Sequence, residues 1–242
     1  MKEAVQFSGG KDSLAVMYLM RDRLPGMTVY FGDTGHAYPH MLDFAQRTVA
    51  RLGGTLKIVR PPVHIDAYQS AVGLPADIVP VEHSVAMRPY IKEQKPLIQA
   101  SLLCCSIMLW QPLVRALVED GITDVYRGSK GADHHVGAAD GVTESGITYH
   151  SPLWGWTDEQ VFAYLKGQGA ELPAHYAGVN TSFDCMYCTA FLNHPGAREK
   201  IEWTRKTYPA AWPKLAERLR TLDAALSDQR NQVQSALGMG SL

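Results

Sequence analysis

The first part of the chain alternates short, continuous apolar runs with segments in which apolar residues recur at helical spacing. The runs at 4–7, 27–31 and 55–59 predict three buried strands, and the segments at 11–20 and 41–52 predict the helices between them. Strands that alternate with helices indicate a parallel sheet joined by right-handed crossovers. The sequence therefore predicts an α/β fold, with a mainly parallel twisted sheet flanked by helices.

The pattern becomes less regular after the third strand. Prolines and histidines replace the apolar periodicity over 61–96, which predicts a long segment without regular elements. The later elements that the pattern predicts are a helix over 97–120, a strand over 123–126, a helix over 158–166 that begins with a capping box of Thr157 and Gln160, and helices from 196 onward. We expect one α/β domain over residues 1–195 and a C-terminal helical extension over 196–242 that packs on it.

Composition and charge limit the classes of protein to which this chain can belong. The chain has 242 residues and a net charge of −1, which predicts no broad electrostatic attraction to nucleic acid or to a membrane surface. No apolar stretch reads as a bilayer span and no signal sequence precedes the first strand, so we expect a cytoplasmic protein without a membrane partner. In a reducing compartment, the four cysteines are expected to be ligands or catalysts rather than disulfides.

The turn between the first strand and the first helix carries six residues of one motif, Ser8-Gly9-Gly10-Lys11-Asp12-Ser13. The glycines let backbone N–H groups approach an oxyanion, and the helix start adds unpaired amides and the positive end of its dipole. Lys11 adds a positive charge, and the serines add hydroxyls. Asp12 would repel a phosphate unless a cation intervened, so we interpret it as a route to Mg²⁺. The alternative is a glycine-rich turn that binds nothing.

Two further loops are predicted at the same edge of the sheet, because the carboxyl ends of parallel strands meet there. They supply the candidate binding residues Asp33, Gly35, Arg127, Gly128 and Lys130. Asp33 either positions a ribose or magnesium, or caps the turn at Gly35. Arg127 and Lys130 either meet an anion or are solvated loop charges. The pair His134 and His135 is interpreted as surface rather than as a proton-transfer site.

The cysteines form two pairs, Cys104-Cys105 and Cys185-x-x-Cys188, and the chain has no others. Four thiolates complete the ligand set of a [4Fe–4S] cluster. They also suit a structural zinc site, which the sequence separates poorly from a cluster. A redox-active Cys-x-x-Cys pair would leave Cys104-Cys105 unexplained. We favour the cluster, bound by Cys104, Cys105, Cys185 and Cys188.

These motifs together resemble a known family. Ser-Gly-Gly-Lys-Asp-Ser resembles the pyrophosphate loop of the N-type ATP pyrophosphatases, the PP-loop or adenine nucleotide alpha hydrolase-like superfamily. The Asp-Thr-Gly at 33–35, the stretch at 150–161 and the Cys-Cys…Cys-x-x-Cys arrangement resemble the PAPS and APS reductase-like members. The resemblance implies a nucleotide over the 8–13 loop with an iron–sulfur cluster beside it. It also implies catalytic roles for Lys11, Asp12 and Lys130, and basic residues near Arg127 that meet the phosphate or sulfate end of the nucleotide.

Two departures from that family change the expected reaction. Its reductases carry a nucleophilic cysteine near the C-terminus, whereas this chain has none after Cys188. Many also have a degenerate first loop, whereas Lys11, Asp12 and Ser13 are intact here. We therefore expect ATP with Mg²⁺ to be cleaved between the α and β phosphates, which adenylates an acceptor and is linked to sulfur transfer.

Two other functions stay open at this point. One is a sulfonucleotide reductase that uses an external thiol, such as a thioredoxin-like partner, and the other is a nucleotide-sensing iron–sulfur module without catalysis. The sequence leaves open the acceptor, which is a small molecule or a nucleic acid, together with the sulfur donor and the formation of homo-oligomers.

Overall fold

The computed structural model describes residues 2–131, 133 and 140–239. The strands are β1 (Glu3–Gln6), β2 (Thr28–Gly32), β3 (Thr55–Val59), β4 (Leu74–Ala76), β5 (Ile98–Ala100), β6 (Asp124–Tyr126), β7 (Val142–Glu144) and β8 (Ile147–His150). The helices are α1 (Lys11–Leu19), α2 (Pro39–Arg51), α3 (Ile65–Val72), α4 (Ser101–Cys105), α5 (Gln111–Glu119), α6 (Asp158–Gly167), α7 (Ala197–Thr207) and α8 (Trp212–Ala236). A π-helical turn at Ser106–Trp110 joins α4 to α5.

The main sheet has the strand order β3-β2-β1-β6-β8-β7. All neighbours run parallel except β7, which pairs antiparallel with β8. From β1 the chain builds outward through β2 and β3, then returns to the other side of β1 as β6. Ligands of open α/β sheets bind at such a reversal, beyond the carboxyl ends of the strands. The loops after β1 and β6 meet at this point.

Apolar cores lie on both faces of the sheet, as the sequence predicts. On β1, Val5 packs with residues of α1, α2 and α6, whereas its neighbour Ala4 packs with residues of α5. The alternation follows from the period of two in a strand. The predicted capping box forms, since Gln160 donates its backbone N–H to the Thr157 hydroxyl and returns its side chain to the Thr157 N–H. The α/β architecture with a mainly parallel sheet is therefore confirmed.

Two predictions for the middle of the chain are wrong. The segment 61–96 is not irregular throughout, because it contains α3 and β4. The predicted helix over 97–120 begins later, because 98–100 form β5, which pairs parallel with β4. Gln99 reinforces this ladder by donating its side-chain N–H to the carbonyl of Gly73 at 2.6 Å. The antiparallel hairpin of β7 and β8 also escapes the sequence pattern.

The helical run Ser101–Glu119 is long and apolar enough to cross a membrane by length and composition alone, which the sequence prediction overlooks. Its residues Leu113, Ala116 and Leu117 are buried in the core against the sheet. This packing is that of a helix that flanks a sheet.

The C-terminal helices pack on the α/β layer. Leu222 and Ala225 of α8 are buried against Ala76 and Ile98, which belong to the small β4–β5 sheet. The division of the chain at residue 195 stays a prediction.

Candidate nucleotide and cysteine site

The loop after β1 has a backbone shape that depends on its glycines and leaves the backbone accessible to a ligand. Gly9 has a φ of +84°, a conformation that side-chain-bearing residues rarely adopt. Gly10 precedes the first turn of α1 without a side-chain cap. The Ser13 hydroxyl lies 3.1 Å from that of Ser8, donates to the carbonyl of Gly10 at 3.0 Å and accepts the N–H of Ser8 at 3.2 Å. These bonds fix the shape of the loop before any ligand arrives.

Two buried lysines lie at this loop. Lys11 is 8 % exposed, and its Nζ lies 2.9 Å from a carboxylate oxygen of Asp12 and 3.2 Å from one of Asp158. Lys130 is 4 % exposed, and its Nζ contacts Asp12 at 2.6 Å, Asp133 at 3.1 Å and Asp158 at 3.1 Å. The predicted catalytic residues Lys11, Asp12 and Lys130 are therefore in direct contact.

The neighbouring carboxylates keep Lys130 charged despite its burial. Burial disfavours the ammonium of Lys130, but Asp12, Asp158 and Asp133 together raise its pKa above the ordinary value. Burial likewise disfavours the carboxylate of Asp158, but Lys130 and Lys11 hold its pKa below the ordinary value. The site thus presents two ordered positive charges where the loop amides converge.

Asp12 is placed differently from a magnesium ligand. One of its oxygens accepts from Lys11 and the other from Lys130. A carboxylate with both oxygens engaged by ammonium groups does not fit direct coordination of a divalent cation. In this arrangement Asp12 orders the two lysines.

Gly128 lets the loop after β6 touch the loop after β1. A Cβ at this position would lie 2.5 Å from the backbone nitrogen of Ser13 and 2.6 Å from the carbonyl carbon of Asp12. Such distances are too short for non-bonded atoms. The two backbones are therefore in direct contact, which places Lys130 beside the helix that begins at Lys11.

Asp33 and Arg127 make local contacts. The carboxylate of Asp33 accepts the N–H of Gly35 at 2.8 Å and the Nε–H of Arg60 at 2.9 Å. The first bond is the turn cap considered from the sequence, and Gly35 has a φ of +91°. The guanidinium of Arg127 lies 4.7 Å over the ring of Tyr149, and burial lowers its pKa. His134 and His135 lie outside the described residues.

The loop after β2 connects the candidate nucleotide site to the cysteines. The hydroxyl of Thr34 lies 3.2 Å from the Sγ of Cys185. Ala37 forms an antiparallel bridge with Cys185, and Met186 donates its N–H to the carbonyl of His36 at 2.7 Å. The Cys-x-x-Cys segment is therefore packed on the residues that follow β2.

None of the four cysteines is paired in a disulfide. Burial raises the pKa of Cys105 to about 12, and it also raises those of Cys104, Cys185 and Cys188. A charge on Cys188 would raise the pKa of each of the other three further, so the two pairs lie close enough to interact.

The thiols do not form a ready site for a single ion. Within the described part of the chain, no group of three or more His, Cys, Asp or Glu side chains is close enough to hold one metal ion. Four neighbouring free thiols remain chemically suited to a larger cluster.

A bonded chain of side chains links the cysteine pairs to the C-terminal helix. Gln69 of α3 directs its side-chain nitrogen at Cys104 Sγ, 3.6 Å away. Its side-chain oxygen accepts from Arg218 of α8 at 2.7 Å, and Arg218 also donates to the carbonyl of Tyr187 at 3.2 Å. Asp66 holds Arg218 and Lys214 at 2.6 and 2.7 Å. Helix α8 is thereby tied to both cysteine pairs.

The sequence patterns do not predict three residues of the site. Asp158 is the first residue of α6, and the sequence places it only within the capping segment. Asp133 lies three residues after Lys130, in the loop whose basic residues the sequence singles out. Tyr176 accepts the N–H of Lys11 at 3.0 Å from a distance of 165 residues along the chain, and no local pattern signals it.

Comparisons with known proteins identify the family of the chain and a solved structure of similar fold. The family model described as phosphoadenosine phosphosulfate reductase domain matches residues 2–191. The crystal structure of phosphoadenylyl-sulfate (PAPS) reductase from Candida auris in a phosphate complex is similar with a TM-score of 0.53 and 19 % sequence identity, over 76 % of this chain and 81 % of that chain. Yeast FAD synthetase in complex with FAD gives 0.43 and 14 %, over 74 % and 55 %. No curated protein sequence matches the chain.

Proposed function

Because the chain belongs to the phosphoadenosine phosphosulfate reductase family, we propose that it binds an adenine nucleotide over the 8–13 loop and cleaves ATP between the α and β phosphates. The observation that carries this proposal is the pair of buried ammonium groups of Lys11 and Lys130, 2.9 and 2.6 Å from the shared carboxylate of Asp12. Two fixed positive charges at a helix N-terminus suit a pyrophosphate leaving group.

In the proposed reaction, a nucleophilic atom of the acceptor attacks the α-phosphorus. The bond from the α-phosphorus to the α,β-bridging oxygen breaks, and pyrophosphate leaves with its electron pair while the acceptor loses its proton to solvent. Lys11, Lys130 and the loop amides stabilise the charge that develops on the leaving group. Magnesium enters as the counter-ion of ATP, and no ligand role for Asp12 is needed.

For the cofactor, we propose that Cys104, Cys105, Cys185 and Cys188 hold a [4Fe–4S] cluster. The support is chemical, since four free thiols near one another satisfy such a cluster. When bound, the cluster would supply an electron- or sulfur-handling centre near the nucleotide. Thr34 and Gln69 would then contact two of its ligands, and such bonds to sulfur tune cluster potentials.

The test of the reaction is pyrophosphate release from ATP and Mg²⁺ by anaerobically prepared protein. We expect slow release by the wild type and at least a tenfold weaker ATP affinity for Lys11→Ala, because the variant leaves Asp12 and Asp158 facing the phosphates with one lysine fewer. Lys206→Ala on the exposed face of α7 is the matched control. Calorimetric titration would contradict the proposal if Lys11→Ala bound ATP as tightly as the wild type.

A second candidate function is sulfonucleotide reduction with an external thiol. The family match favours it, and in this candidate the attacking thiol comes from a partner such as a thioredoxin-like protein, since residues 189–242 hold no cysteine. This candidate predicts thiol-dependent consumption of PAPS and no pyrophosphate from ATP. Intact-protein mass spectrometry separates the two further, since an S-sulfo adduct on Cys185 or Cys188 after exposure to PAPS would favour the reductase.

The cluster has its own test. Anaerobic protein should be brown and contain about four irons per chain. Each Cys→Ser change should lower the iron content, because a hydroxyl is a poorer iron ligand than a thiolate. The control is Ser106→Ala, which follows Cys105 directly but removes no thiol. Stoichiometric zinc without iron would disprove the assignment.

A further inference from the structure

The phenol of Tyr176 lies on the phosphate-binding loop. Tyr176 belongs to the short 3-10 turn Ala174–Ala177, and its oxygen accepts the N–H of Lys11 at 3.0 Å. A Cβ built on Gly10 would lie 3.6 Å from that oxygen and 3.5 Å from the hydroxyl oxygen of Ser8. Two hydroxyl groups, those of Ser8 and Tyr176, therefore lie close to Gly10.

The ring of Tyr176 is held in place by its neighbours. It packs edge-on against Phe162, at a centroid distance of 5.8 Å, and at a tilt of 35° against His175, at 4.3 Å. Phe162 also lies 5.9 Å from the Nζ of Lys11. The hydroxyl position is thus set by the same packing that positions the lysine, so it does not depend on a flexible side chain.

The hydroxyl keeps its own proton. Burial raises the pKa of Tyr176 well above its ordinary value, and the carboxylates of Asp12, Asp184 and Asp158 add to this. A phenol oxygen that accepts an N–H still has one O–H to donate. Among the described residues, the N–H of Lys11 is the hydrogen-bond partner of this oxygen, and no protein acceptor takes the phenol proton.

We infer that Tyr176 is a phosphate-binding residue, whose oxygen accepts the N–H of Lys11 and whose O–H donates to a phosphoryl oxygen of the bound nucleotide. The inference rests on the proposed nucleotide site and adds a residue to it. A helix N-terminus usually gives its amides to the anion directly. Here one amide is extended outward through a hydroxyl, which places a donor farther from the backbone than the loop reaches alone.

The alternative role for the Tyr176 phenol is to block the N–H of Lys11, and it predicts the opposite change in phosphate binding. If the phenol only occupied the amide, a phosphate would have to displace it, and removal of the hydroxyl would strengthen binding. Tyr176→Phe separates the two, because it keeps the ring contacts with Phe162 and His175 and removes only the hydroxyl. Tyr164→Phe is the matched control, since Tyr164 lies on α6 with its ring against Trp156, 5.4 Å away.

The experiment is calorimetric titration of magnesium pyrophosphate, ATP and adenosine into the full chain. We expect Tyr176→Phe to bind pyrophosphate and ATP about 10- to 100-fold more weakly, the loss typical of one hydrogen bond to a charged group. Adenosine binding, and all affinities of Tyr164→Phe, should stay unchanged. Equal or tighter pyrophosphate binding by Tyr176→Phe overturns the inference alone. Failure of the wild type to bind any nucleotide overturns the proposed function with it.

A crystal structure of the wild type with magnesium pyrophosphate gives an independent answer should Tyr176→Phe fail to fold. A Tyr176 oxygen within hydrogen-bond distance of a phosphoryl oxygen supports the inference. A phenol displaced from the N–H of Lys11 overturns it.

Discussion

Replacing Gly128 by alanine is expected to lower ATP affinity by about 10- to 100-fold, the loss typical of one hydrogen bond between a charged donor and the phosphates. The added methyl would lie 2.5 Å from the backbone nitrogen of Ser13, so one of the two loops must move. Because both contacts are to backbone, no side-chain rotation relieves them. The movement would separate Lys130 from Lys11 and deform the loop amides.

The control for Gly128→Ala is Gly26→Ala, where no heavy atom lies within 4 Å of the built Cβ. Calorimetry should show unchanged ATP binding for Gly26→Ala, and thermal unfolding should show that Gly128→Ala is folded, with an overpacking cost of about 1–3 kcal/mol. Wild-type ATP affinity in Gly128→Ala would mean that the two loops are not in contact in solution.

Acid is expected to destabilise the protein well above the range in which carboxylates titrate. His40 and His175 share a buried aromatic cluster with Tyr38, Phe183 and Trp203, and the His40 Nε2 lies 3.2 Å from the His175 Nδ1. Burial lowers the pKa of His40 to about 4, and burial together with the charges of His40 and Lys200 lowers that of His175 to about 3.

The direction of this pH effect follows from the linkage between proton binding and folding. Both pKa values are below the ordinary 6.5, so the unfolded chain binds protons that the folded protein excludes. The stability from these histidines is complete above pH 6.5 and is lost as the pH falls towards 4. Between pH 7 and pH 5 the expected loss is about 2 kcal/mol for each histidine.

Denaturant unfolding at a series of pH values measures this loss. His175→Phe should be less acid-sensitive than the wild type, because the exclusion of one proton is removed. Trp203→Phe perturbs the same cluster without a titratable group, so it should lower stability by the same amount at every pH. A free energy of unfolding that does not change between pH 7 and pH 5 would show that the histidines are not held neutral.

The parts of the site that depend on local spacing can be predicted from the sequence. A strand, two glycines and a helix start identify the loop at 8–13, and the carboxyl ends of parallel strands bring Lys130 to it. The capping box at Thr157 is equally local. The structure places these residues together as expected, with Lys11, Asp12 and Lys130 in contact.

The parts that the sequence does not predict depend on contacts between distant segments. Asp158 reaches the loop because α6 packs on α1. Tyr176 reaches it from the 3-10 turn at Ala174–Ala177, and no spacing within either segment encodes this contact. Helix α3 was missed for a local reason. Its N-cap is His64, whose ring nitrogen accepts the N–H of Asp66 at 3.2 Å, and histidine is not among the usual N-cap residues.

The π-helical turn at Ser106–Trp110 changes which side of the helical run is buried before and after it. Along this helical run, Ser101 and Cys104 are buried before the turn, Met108 is buried within it, and the next buried residue is Leu113. The step from 108 to 113 is five residues, whereas an α-helical stripe advances by three or four. One added residue turns a helix by about 100°. Without that offset, the stripe that α5 presents to the sheet would continue through Leu102, which is now exposed, and Cys104 would rotate off the buried side. The turn thus lets one helix serve two differently oriented surfaces: the sheet through its second half and the cysteine site through its first.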